Sequence, residues 1–153
     1  MTIKIVKPED GEVINLGAIR TRILEDGTAT GKRLGLVEIT LKPGGLGPPQ
    51  HIHRQHDETF FVLSGTVRFT SGEDHVDLSA GSLLTTPIGV PHTFANADAE
   101  VEAAMLCTVT PDLYIDYFRE LAEAAKATGT LEPAAIVEIM SRYATEPYRA
   151  PST

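Results

Sequence analysis

The sequence predicts an all-β fold, a barrel or jelly roll, followed by two α-helices that lie across it or across a neighbouring subunit. Three observations point there. Residues 1–110 hold short β-rich runs separated by Gly, Pro and Asp turns, at the spacing of a sandwich or barrel. After Thr110 the apolar residues recur with helical spacing instead. No repeat, low-complexity segment or long linker interrupts the 153 residues, a length that suits one domain. Residues 1–110 are therefore expected to form the β-barrel, and residues 111–153 a helical extension of the same domain.

The candidate strands, in order, are IKIV, INLGAIRTRIL, GLVEITL, ETFFVLSGTVRFT, HVDLS, SLLTTP, HTFANA and VEAAMLCTV. Between them EDGTATG, KPGGLGPP, SGED and PIGVP supply the positive or fixed φ angles that turns need. The segment TPDLYIDYFRELAEAAKATG predicts a helix with Thr110 as N-cap, Pro111 at N1 and Gly129 near the C-cap. Leu113, Tyr114, Tyr117, Phe118, Leu121 and Ala125 form its apolar face. A second helix is expected over roughly Pro133 to Tyr143, and the tail EPYRAPST reads as irregular. Both helices are expected to serve packing or dimerisation.

Composition excludes several classes of function. A net charge of −8 with no Lys/Arg cluster opposes nucleic-acid binding, which rests on neutralising phosphates. No apolar run is long enough to span a bilayer, so no membrane partner is expected. The N-terminal MTIKIVKPEDGEV lacks the h-region of a secretory signal and predicts a cytoplasmic protein. The single cysteine, Cys107, can form no internal disulfide, and is expected to be a small buried hydrophobe.

The segment QHIHRQHDETFFVLSG concentrates three of the five histidines beside two acids. His51 and His53, two residues apart, share one face of a strand, and with Glu58 they offer the nitrogen and oxygen donors of a divalent transition metal. Glu58 lies an odd number of residues from His53, so RQHD must turn or bulge to bring it inward. From Glu58 onward, alternation puts Phe60 and Val62 on the same side. A further ligand should come from a second strand, where His75 and His92 are the histidines left. His92 follows the rigid turn PIGVP, and it shares a face with Phe94 and Asn96. A lone histidine on a strand is ordinarily a hydrogen-bonded structural residue; several in register with a glutamate indicate a metal site. His56 reads as a solvated turn residue and His75 as a surface one.

These residues resemble both signature motifs of the cupin family. Gly45, His51, His53, Glu58 and Gly65 match the first motif, and Gly81, Pro87, Gly89, His92 and Asn96 the second, with every spacing as the family has it. At residue frequencies of roughly 5 to 7% each, ten such matches arise by chance on the order of 10⁻¹² times per register. The resemblance implies a double-sheet jelly roll of six or more strands holding one divalent metal (Fe, Mn, Ni, Co or Zn) through His51, His53, Glu58 and His92.

An octahedral ion held this way keeps up to two open positions, room for a bidentate substrate or for substrate plus O₂. The stretch GPPQHIHRQHDETFFVLSG is similar to that of bacterial quercetinase-type cupins. This resemblance implies a mononuclear dioxygenase for a small phenolic, enolic or diketone-like substrate. Glu58 would be the catalytic proton acceptor, and Phe60 and Phe94 would line the substrate pocket. The same motifs occur in isomerases, decarboxylases, lyases and ligand-binding cupins, so these remain open alternatives. A homodimer is expected, because the sheet edge near TIKIV needs a partner strand.

Overall fold

The computed structural model describes residues 3–151. In chain order the elements are β1 (Glu12–Leu16), β2 (Ile19–Asp26), β3 (Gly35–Leu41), β4 (His51–His53), β5 (Asp57–Ser64), β6 (Thr66–Ser71), β7 (Asp74–Ser79), β8 (Leu83–Thr86), β9 (Thr93–Asn96), β10 (Ala103–Thr110), α1 (Ile115–Thr128), α2 (Pro133–Arg142) and β11 (Thr145–Pro147). One antiparallel sheet runs β1-β2-β3-β10-β5-β8, a smaller one runs β7-β6-β9, and β11 pairs with β4. The predicted jelly roll with two helices is what forms.

Alternation decides which side chains meet between the sheets. Along β3, Val37, Ile39 and Leu41 are buried, and along β10, Ala103, Met105, Cys107 and Val109. Val67 and Phe69 of β6 and Phe94 of β9 face them from the small sheet. Phe60 of β5 joins the two layers, its ring 5.3 Å from Phe69 and 5.8 Å from Phe94. Each fully buried side chain of this size contributes about 1.5–3 kcal/mol through removal of apolar surface from water. Cys107 is among them, as expected from the sequence.

The run ETFFVLSGTVRFT is two strands, because Gly65 (φ +69°) redirects the chain from the large sheet into the small one. A Cβ there would lie 2.6 Å from the Glu102 carbonyl oxygen, so only glycine fits. Asn96 ties the far end together: its Nδ2 donates to the carbonyls of Leu41, Lys42 and Val101, and its Oδ1 accepts the Asp98 N–H.

Several expectations are corrected. INLGAIRTRIL is a hairpin rather than one strand, turning at Gly17 (φ +61°). IKIV is not a strand: residues 3–7 have no ladder partner among the described residues, and Ile3 and Ile5 are exposed. The large sheet instead ends at β1 and β8, so the edge expected near TIKIV does not exist within the described residues. The first helix begins at Ile115, not near Thr110, which is the last residue of β10. The buried Asp112 carboxylate starts it, accepting the N–H groups of Tyr114 and Ile115 while Lys32 neutralises it at 3.1 Å. Gly129 ends the helix in the αL conformation as predicted. The tail is not irregular throughout, since Thr145, Glu146 and Pro147 pair with His53, Ile52 and His51.

Candidate metal centre

His51 and His53 occupy the buried positions of β4, and Glu58 the second residue of β5. Arg54 and Gln55 make the predicted turn between them, which restores the inward direction of Glu58. His92 reaches the same point from the second motif through an antiparallel bridge with His51. Two further bonds lock the motifs together. The Gly89 N–H donates to the His53 carbonyl at 2.9 Å, and the Ile88 N–H to Asp57 Oδ1 at 2.9 Å.

The result is a buried cluster of His51, His53, Glu58 and His92 whose candidate ligand atoms all lie within 4.8 Å of one another. His92 Nε2 is 3.0 Å and His53 Nε2 3.3 Å from Glu58 Oε2. His51 and His92 each donate Nδ1–H to a carbonyl two residues back, those of Pro49 (2.9 Å) and Val90 (3.0 Å). A carbonyl can only accept, so Nδ1 carries the proton and Nε2 faces the cluster as a donor atom for a metal. His53 Nε2 is buried without an aligned hydrogen-bond partner among the described residues. Three imidazoles and one carboxylate with such an orphaned nitrogen suit a single divalent transition-metal ion.

Electrostatics follow from burial and crowding. Burial, reinforced by the neighbouring His92 and His53, pushes His51 down to about 3. Burial also lowers His53, against the pull of Glu58. At Glu58 burial works upward, but His53, His56 and His92 together hold the carboxyl well below its ordinary value. At His92 burial works downward, and the hydrogen bond and charge of Glu58 outweigh it and raise it. Burial leaves the Cys107 thiol and the Tyr114 hydroxyl protonated, both pushed well above their ordinary values.

His56 is not the solvated turn residue that its position suggested. It is 0% exposed, with neither ring nitrogen hydrogen-bonded among the described residues. After the turn the chain is already heading inward, and the ring packs 4.1 Å from His53 and 4.8 Å from Tyr114. Its Nε2 lies 3.8 Å from Glu58 Oε1. His75 is exposed on β7, as expected.

A cavity of about 70 Å³ adjoins the cluster and has His51 and Glu58 in its wall. Phe60 and Phe94 line it, together with Leu16, Ile19, Ile39 and Cys107 of the large sheet. Tyr114, Tyr117, Phe118 and Leu121 complete the wall, so the start of α1 and the residue before it close the cavity. The sequence leaves open whether this helix closes the barrel or mediates dimerisation, and the structure places it in the cavity wall. The aromatic stripe Tyr114, Tyr117, Phe118 was visible, but its periodicity cannot tell a core-facing stripe from a cavity wall. Arg119 holds the helix in place, binding Glu12 of β1, Asp26 of β2 and Asp116 of α1.

Comparison with known proteins agrees with this geometry. Residues 37–109 match the Cupin domain family. Quercetin 2,3-dioxygenase of Bacillus subtilis (strain 168) is 29% identical over 92 residues, which are 59% of this chain and 26% of the relative. The chain thus spans about a quarter of the length of that curated relative. Among the solved structures that share the fold are these two. An RmlC-like cupin from Shewanella frigidimarina NCIMB 400 is 21% identical with a TM-score of 0.61, covering 72% of this chain and 92% of that one. A predicted oxalate decarboxylase from Thermotoga maritima is 17% identical with a TM-score of 0.65, covering 71% and 99%. The matched segment, the double-sheet fold and the three-histidine, one-glutamate cluster agree: residues 37–109 match the Cupin domain, and the chain is similar to small cupins of the quercetinase type.

Proposed function

We propose that this cupin is a mononuclear metal-dependent dioxygenase acting on a small enolic, diketone-like or phenolic substrate. The observation that carries the reading is the adjacency of the four-donor cluster to an aromatic-lined cavity whose single carboxylate is Glu58. A divalent transition metal held by His51, His53, Glu58 and His92 would supply Lewis acidity for an anionic oxygen and, if redox-active, a partner for O₂. Phe60, Phe94 and Tyr117 would orient a flat, apolar substrate and exclude water from it. Glu58 would accept the proton of the entering hydroxyl. A carboxylate held below its ordinary range is a weak base, which favours the acidic proton of an enol or phenol over that of an alcohol.

Cavity size bears on how a substrate is admitted. At about 70 Å³ it is smaller than the roughly 150 Å³ that admits benzene, so a phenolic ring requires side chains of α1 to move aside. A small diketone such as 2,4-pentanedione, which is no smaller than benzene, requires the same movement. Oxygen-electrode assays with 2,4-pentanedione, catechol and a flavonol test the reading. Stoichiometric O₂ uptake that a His51→Ala variant abolishes supports it, and no uptake with any of the three counts against it.

A second reading rests on Tyr114. Its protonated hydroxyl and the Glu58 carboxylate would form an acid and base pair suited to isomerase, decarboxylase or lyase chemistry at an enediolate. Turnover under strict anaerobiosis selects this alternative. Ligand binding without turnover in either atmosphere would mark a non-enzymatic binding protein. We also propose a homodimer, supported by the exposed Phe61, Leu63 and Leu83 on the edge pair β5 and β8. A monomer in light scattering at micromolar concentration contradicts it.

A further inference from the structure

The three histidines of the cluster are not oriented in the same way. His51 and His92 each find the acceptor for Nδ1–H in a carbonyl two residues away, so their own local chain sets the ring. His53 finds it in a side chain 92 residues away, the Thr145 hydroxyl, at 2.8 Å. Thr145 is 2% exposed, and its own O–H donates to the Tyr143 carbonyl at 3.1 Å. With its proton committed there, the hydroxyl has only a lone pair to offer His53. That forces the proton onto Nδ1 and leaves Nε2 as the donor atom in the cluster.

We propose that Thr145, carried by the C-terminal strand β11, is a positioning residue of the metal centre that fixes the metal-binding tautomer and ring orientation of His53. The strand is built to hold this bond. Thr145 sits directly opposite His53 in the β4–β11 pair, the Arg54 N–H donates to the Ala144 carbonyl at 2.9 Å, and the Tyr148 N–H to the Gln50 carbonyl at 2.8 Å. Arg54 and Glu146 add an ion pair across the same strands. Tyr143, whose carbonyl accepts the Thr145 hydrogen bond, is joined through its own hydroxyl to Glu120 of α1. The helix that closes the cavity and the strand that orients a ligand are therefore one connected unit outside both sequence motifs.

Loss of the acceptor has two consequences. The Nδ1–H of a buried ring is left without a partner, and the ring becomes free to carry its proton on Nε2 instead, where it blocks coordination. Thr145→Val keeps the shape and β-propensity of the side chain and removes the hydroxyl, which is both the acceptor for His53 and the donor to the Tyr143 carbonyl. Thr145→Ser keeps the acceptor.

The test is titration of metal-stripped protein with Mn²⁺, Co²⁺ and Ni²⁺ by calorimetry, alongside the urea midpoint of each metal-free variant. Outer-sphere partners of this kind are worth about 10- to 100-fold in metal affinity. Thr145→Val is expected to lose that factor and Thr145→Ser to stay near wild type, with a lower urea midpoint for Thr145→Val but all three proteins folded in the absence of urea. Equal affinity in Thr145→Val and wild type overturns the proposal, as does equal weakening of the Val and Ser variants. If Thr145→Val fails to fold, the ¹⁵N shifts of the His53 ring in the metal-free wild type decide: an Nδ1–H imidazole is expected, and an Nε2–H imidazole overturns it. The inference rests on the four-ligand centre and not on dioxygenase chemistry. A wild type that binds no metal refutes the centre, whereas a wild type that binds metal with Thr145→Val unimpaired refutes only the role of Thr145.

Discussion

His51 and His92 stand opposite one another across an antiparallel bridge, each donating its N–H to the other's carbonyl, at 3.1 and 3.0 Å. The two motifs therefore meet through backbone before any side chain is considered, and the ring centroids come to 4.6 Å as a consequence. A ligand cluster set by backbone pairing is preorganised, and changes that spare the backbone should spare the fold.

Glu58→Gln is expected to show this separation. The amide fills the same space, so the melting temperature should stay within about 3 °C of wild type, roughly 1 kcal/mol for a domain of this size. Metal affinity should fall at least 10-fold, because a neutral amide replaces the only anionic ligand. Calorimetric titration beside a thermal melt checks both; unchanged metal affinity contradicts the assignment of Glu58.

Gly89→Val acts in the opposite sense. Gly89 has φ +86° and donates its N–H to the His53 carbonyl, so a β-branched residue strains the turn that joins the motifs. Strain of this kind costs about 1–3 kcal/mol. The melting temperature should drop by about 3–10 °C and metal content with it. A melt and a metal content equal to wild type would show that the turn tolerates a side chain.

Phe118→Ala should widen the cavity at the wall supplied by α1. Its ring is only partly buried, so the stability cost is expected to stay below the about 3–5 kcal/mol of a fully buried Phe→Ala change. Relative to 2,4-pentanedione, kcat/KM for a phenyl-substituted diketone should rise at least 10-fold. An unchanged ratio would mean that α1 does not limit substrate size.

Acid should loosen the same helix. The Thr28 hydroxyl, with Arg119 and Lys4 adding to it against partial burial, holds the Asp26 carboxyl below its ordinary value of 3.8. A carboxylate with a depressed folded-state pKa contributes stability that is complete above its unfolded value and is lost as pH falls below it. The gap in melting temperature between wild type and Asp26→Asn should therefore hold at about 2–4 °C from pH 8 to 5 and shrink below about pH 4. A gap that widens on acidification contradicts the staple between β2 and α1.

The sequence made the jelly roll and all four members of the cluster legible for a physical reason. Strand alternation and the fixed spacing around His51, His53, Glu58 and His92 are local properties, and each half of the site lies within one short segment. What escaped was decided by distant packing. His56 looks like a turn residue until Tyr114 covers it, and nothing near residue 145 announces a partner for His53. The start of α1 was misplaced because Thr110 offers a good cap in sequence, while the ladder claims it for β10 and Asp112 takes over the capping bonds. The hairpin at Gly17 and the coil at residues 3–7 show the same limit, since β-rich composition does not say where a ladder finds its partner.

Elemental analysis of protein purified without a metal-affinity tag or chelator, wild type beside the His51→Ala/His92→Ala double variant, shows whether these residues hold an ion. About one Fe, Mn, Co or Ni is expected per wild-type chain and none in the variant. No metal in the wild type, or the same content in both proteins, would contradict the four-ligand centre.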